Sequence, residues 1–124
     1  MSNGARSILV FGIYLLLLGA MLILAPNLLL GLFFLPRTTE VWIRLVGVLV
    51  LYLGFFHVQA ARHELVPFFG WSTYVRPTLI VFFAIFVSLG FAKPPLILFG
   101  VVDLLGAIWT AVAMRSSKMV SANQ

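Results

Sequence analysis

The chain has 124 residues, 63% of them hydrophobic and only 9% charged. Water-facing surfaces run near a quarter charged, so an ordinary soluble domain is excluded and a surface that faces lipid is expected. The net charge of +5 comes from basic residues scattered singly, at Arg6, Arg37, Arg44, Arg62, Arg76, Lys93, Arg115 and Lys118, a pattern that marks membrane topology and no nucleic-acid face.

One domain fits this length, because four spans of about 20 residues use most of it. The fold class expected is all-α, an integral membrane four-helix bundle covering 1–124. With no cysteine in the chain, disulfides, thiolate catalysis and Cys-ligated metal are excluded.

The first span is expected over 7–24. It follows Arg6 like a signal peptide, but it is long for one, and Pro26-Asn27-Leu28 beyond it offers no small-x-small cleavage pattern. The apolar piece Asn27 to Leu35 ends at Pro36-Arg37 and is too short to cross a bilayer. An interfacial or re-entrant segment is expected there, the alternative being one long helix kinked at Pro26.

Span two is expected over 41–61, with Thr38-Thr39-Glu40 supplying caps. The stretch Arg62 to Tyr74, with charges, Pro67, Gly70 and aromatics, reads as a surface loop. Span three is expected over 75–91, with Pro77 in its first turn. Lys93-Pro94-Pro95 stops it, span four follows over 96–114, and the tail from Arg115 to Gln124 reads as polar and frayed.

Four spans place both termini and the middle loop on one side. That side carries Arg6, Arg62, Arg76, Arg115 and Lys118, against Arg37, Lys93 and Arg44 opposite. The positive-inside rule then puts both termini in the cytoplasm.

Small residues recur at steps of seven: Gly12 and Gly19 in span one, Gly47, Gly54 and Ala61 in span two, Gly100 and Ala107 in span four, with Gly106 alongside. In lipid, such stripes mark close helix contacts. Span three lacks one and carries Phe82, Phe83, Phe86 and Phe91, so it is expected to be the most lipid-exposed.

Asp103 is the one acid inside an expected span, where a carboxylate costs roughly 2.5–3.5 kcal/mol on insertion scales. It shares a face with Gly100, Ala107 and Thr110 and so points into the bundle. Arg44 lies on the stripe of Gly47 and Gly54. Depths of about 5 Å for Arg44 and about 10 Å for Asp103 from the outer boundary let the two meet. They then form a structural ion pair or a ligand or proton site, the alternative being an Arg44 that simply snorkels outward.

His57, Ala61 and Glu64 share a face if span two continues that far. His57 is a proton shuttle, a headgroup contact or a residue satisfied by backbone. His57 and His63, six apart, do not share a face, so no metal site is expected, and no cofactor motif is present. Neither Ser-His-Asp order, phosphate loop nor HExxH occurs.

The Pro-bounded outer segment, the entry Arg44 to Gly47 and the run Phe99-Gly100-Val101-Val102-Asp103-Leu104-Leu105-Gly106-Ala107 resemble the DoxX-like bacterial membrane proteins. The resemblance covers the whole chain in layout, and it implies a compact four-helix bundle without a settled activity. Small multidrug transporters carry a first-helix glutamate that this chain lacks. Glutathione-using membrane enzymes and sterol-isomerase-like bundles need polar sets that Ala61 to Phe68 and His57, Glu64 and Asp103 only partly supply.

The leading expectation is a non-catalytic subunit or binder of a lipid-soluble molecule such as a lipid or quinone, at Arg44 and Asp103. The alternatives are an oligomeric transporter or channel using Asp103 for a proton or cation, and a membrane enzyme using His57 and Glu64 as acid and base. The expected partners are the bilayer itself, further copies of the chain or a larger membrane complex.

Overall fold

A computed structural model of the chain describes residues 1–122, and they form five α-helices with no strand among them. They are α1 (Asn3–Leu24), α2 (Pro26–Leu32), α3 (Trp42–Arg62), α4 (Val66–Ser88) and α5 (Ile97–Ala122), with a single 3-10 turn, Pro94–Leu96, leading into α5. Four of the helices are long and apolar enough to cross a membrane.

The distribution of polarity is the reverse of a soluble protein's. Ser7, His57, Ser72, Arg76 and Thr110 are buried, whereas Leu17, Tyr52, Phe56, Phe82, Leu105 and Val112 are more than half exposed. Such an exterior suits a solvent as apolar as itself.

Helix α1 is the centre of the assembly. It packs along α3 on one side and against α5 on the other, and α4 leans on α5. The α1–α3 contact rests on glycine. A methyl group added at Gly19 would sit 2.7 Å from the Gly47 carbonyl oxygen, and one at Gly54 would sit 2.9 Å from the Gly12 oxygen. Each helix thus lays its stripe on the other's, antiparallel, at a distance only glycine permits. Gly100 performs the same service toward α4, whose Ile80 backbone it meets. Ala61 and Ala107 are buried.

Several boundaries differ from expectation. Helix α1 starts at Asn3, because Ser2 caps it by accepting a hydrogen bond from the Ala5 N–H at 3.1 Å. The chain breaks at Ala25, and α2 is a separate short helix that begins on Pro26. Thr38 does not cap α3. Its backbone is clasped by the Asn27 side chain through bonds of 2.8 and 3.0 Å, which ties the crossing segment to α2. The α3 cap position is Val41, with no side-chain bond.

The largest correction concerns α4. The expected loop from Arg62 to Tyr74 is a turn of only three residues, and helix resumes at Val66. Pro67 is the proline in the first turn, where a missing N–H costs nothing; Pro77 lies well inside the helix. At the other end α5 continues to Ala122, beyond the expected end at 114; Asn123 and Gln124 lie outside the described residues.

Glu64 turns the chain between α3 and α4. It has a left-handed φ of 51°, and its carboxylate accepts both the Ser2 N–H and the Ser2 hydroxyl at 2.7 Å. The helix therefore stops short of bringing Glu64 onto the face of His57. These two hydrogen bonds hold the Glu64 carboxyl below its usual range. A group with a depressed folded pKa stabilises above its unfolded value, roughly 4.3, and loses that contribution as pH falls through the folded one. Thermal melts between pH 6 and pH 3 should show a small acid loss that Glu64→Gln removes. An identical acid profile in that variant would show the contact contributes nothing.

Candidate functional site: a polar knot in an apolar cleft

Helices α3 and α4 touch only sparsely, and the gap between them is a cleft of about 460 Å³ floored by α1 and α5. Its walls are apolar, with Phe11 and Leu15 from α1, Leu53 from α3, and Trp71, Leu79 and Phe82 from α4. Five polar side chains also line it: His57, Ser72, Arg76, Thr78, whose hydroxyl donates to the Val75 carbonyl of its own helix, and Asp103. A largely apolar cavity with a few converging polar groups is the usual form of a small-molecule site.

Arg76 is the hub. It lies ten residues after the start of α4 and twelve before its end, in the middle of the helix, and is 5% exposed. Its Nε donates to the Ser72 carbonyl at 3.3 Å and its Nη2 to the Thr110 hydroxyl at 2.7 Å. The guanidinium stacks 4.5 Å from the centroid of Phe11, a cation–π contact strengthened by the burial of Arg76. Gly106 leaves the room for it, since an added methyl there would be 3.1 Å from Nη1. That Nη1 is buried without a hydrogen-bond partner among the described residues.

The network reaches every long helix. The hydroxyls of Thr110 and Ser7 lie 2.8 Å apart, which links α5 to α1. Across the cleft His57 Nε2 is 3.2 Å from the Ser72 hydroxyl. His57 Nδ1 is 2.7 Å from the Leu53 carbonyl, which can only accept, so Nδ1 carries a proton; in the neutral ring Nε2 then accepts the Ser72 O–H.

Asp103 comes to this site by register. On the antiparallel α4 and α5, Gly100 meets Ile80 and Gly106 meets Arg76, so Asp103 falls within a turn of the guanidinium. Arg44 does not come here. It sits in the first turn of α3, is exposed, and donates to the Ile23 carbonyl at the end of α1. The arginine that shares a cavity with Asp103 is Arg76, and the expected pairing with Arg44 is not formed. Nor do His57 and Glu64 meet: the first is buried in the cleft, the second exposed on Ser2.

Sequence reasoning missed Arg76 and Ser72 as site residues. The available signal was the spacing of Phe69, Ser72 and Arg76 by three and four, one helical face, which the assumption of a loop concealed. Among the described residues no cluster of His and acids could hold a metal ion. No protein-family model, no curated protein and no solved structure matches the chain.

Proposed function

We propose that this is a four-span membrane protein whose α3–α4 cleft binds a lipid-soluble molecule, with Arg76 and Asp103 holding its polar end. The observation that carries the reading is the buried arginine at mid-span. An ionisable residue at that depth is costly and rarely present without a task, and this one lines an apolar cavity while its buried Nη1 has no hydrogen-bond partner among the described residues. The Ser72 carbonyl, the Thr110 hydroxyl and the Phe11 ring hold the guanidinium in place before any ligand arrives.

The layout that resembles DoxX-like proteins agrees with a compact bundle of the bacterial inner membrane. Arg76 leaves the topology count once it lies inside a span. Arg6, Arg62, Arg115 and Lys118 then stand against Arg37, Arg44 and Lys93. Four against three still favours cytoplasmic termini, by a narrower margin.

Native mass spectrometry of the protein released from mild detergent tests the reading. The expected species carries one retained apolar mass, and Leu79→Trp, which fills the cleft wall, should lose it. A bare monomer from every preparation would refute binding. A bare oligomer with proton flux abolished by Asp103→Asn would replace it with transport.

A further inference from the structure

Three features of the cleft bear on what enters it. The first is shape. Trp71, Val75, Thr78 and Phe82 line it at steps of four, three and four, so the cleft runs along α4 for about 16 Å. Trp71, Val75 and Phe82 are exposed, as is Leu53 on the facing helix. The mouth is therefore along the side of the helices, where the bilayer lies. The polar groups of Ser72 and Arg76 occupy one half of the length, and Leu79 and Phe82 the other.

The second is charge. Arg76 and Asp103 line the same cavity, and their formal charges cancel. His57 adds none in its neutral form, in which Nδ1 donates to Leu53 and Nε2 accepts from Ser72. An anion would satisfy Arg76 but meet Asp103, and a cation the reverse. In a water-poor site either leaves one charge uncompensated.

The third is the hydrogen-bonding capacity that remains. Both ring nitrogens of His57 have partners. Arg76 Nη1 is a donor without an acceptor among the described residues. An ionised Asp103 offers only acceptors. A head that accepts one bond and donates another fits both.

From these we infer that the cleft selects an uncharged single-chain lipid whose head carries a carbonyl or ether oxygen beside a hydroxyl, as a monoacylglycerol does, entering sideways between α3 and α4. The inference rests on the cleft being a binding site and adds the class of its ligand. The chain lies along Leu79 and Phe82, the acceptor oxygen reaches Arg76, and the hydroxyl donates to Asp103.

The test adds equal amounts of monooleoylglycerol, oleate and oleylamine to the purified protein in mild detergent and reads the retained masses by native mass spectrometry. Monooleoylglycerol should be retained about tenfold over either charged lipid. Asp103→Asn, nearly isosteric, should move the preference toward oleate by a similar factor, because Arg76 then stands uncompensated. Leu79→Trp should reduce retention of all three while leaving the melting temperature close to that of the native chain. Preference of the native protein for oleate or oleylamine would overturn the uncharged class and leave the binding site standing. Retention undiminished in Leu79→Trp, or no retention of any probe, would overturn both.

Discussion

Arg76→Met should destabilise the protein more than the loss of any other charged side chain, by about 3–5 kcal/mol in detergent melts. Three consequences add up in that replacement. Thr110 loses its donor, the hydrogen-bonded link from α4 to α5 and onward to Ser7 on α1 is cut, and Asp103 keeps its charge in a cavity that no longer holds a cation. The double variant Arg76→Met with Asp103→Leu should recover a large part of the loss, since an apolar pair of similar volume carries no desolvation cost.

Arg44→Leu is the control. Arg44 is exposed at the end of α3 and donates to a backbone carbonyl, so its removal should fall within about 0.5 kcal/mol of neutral. Equal losses for Arg76→Met and Arg44→Leu would refute the central place given to Arg76. A double variant worse than the sum of the singles would show that Arg76 and Asp103 do not compensate one another.

Gly19→Ala should cost about 1–3 kcal/mol, although alanine is the better helix former. The added methyl would lie 2.7 Å from the Gly47 oxygen and from the Leu51 nitrogen. Both are backbone atoms, so no rotamer change relieves the clash and α3 must move off α1. That contact is the most extensive in the molecule, and its displacement would also shift His57, whose Cβ would lie 3.0 Å from a methyl at Gly12.

Gly70→Ala, on α4 with nothing within 4 Å of the added carbon, should instead gain up to about 1 kcal/mol of helix propensity. The opposite signs separate close packing from propensity. A stable Gly19→Ala protein with native melting behaviour would mean that α1 and α3 are not held by this contact.

The four long helices are legible in the apolar runs alone, because exposing backbone or charge to hydrocarbon is costly and long apolar helices avoid that cost. In the same solvent, small residues at steps of seven become the contact face. That spacing alone identifies the stripes Gly12–Gly19 and Gly47–Gly54. Asp103 stands out for a related reason, as an acid with no place in lipid.

The partner of Asp103 depends instead on how the helices pack. A sequence places a residue by depth only as well as it places the helix ends. Pro67 and Pro77 are equally good first-turn prolines on paper, and choosing the second starts α4 nine residues too late. Once α4 begins at Val66, Arg76 moves from the expected helix start to the middle of the helix. Helix register does the rest: Gly100 against Ile80 brings Arg76 within a turn of Asp103, while Gly19 against Gly47 holds Arg44 at the end of the pair. The cleft belongs to the same level. It exists because α1 binds α3 and α5 binds α4 more closely than α3 and α4 bind each other, a balance of contacts between helices that no single helix encodes.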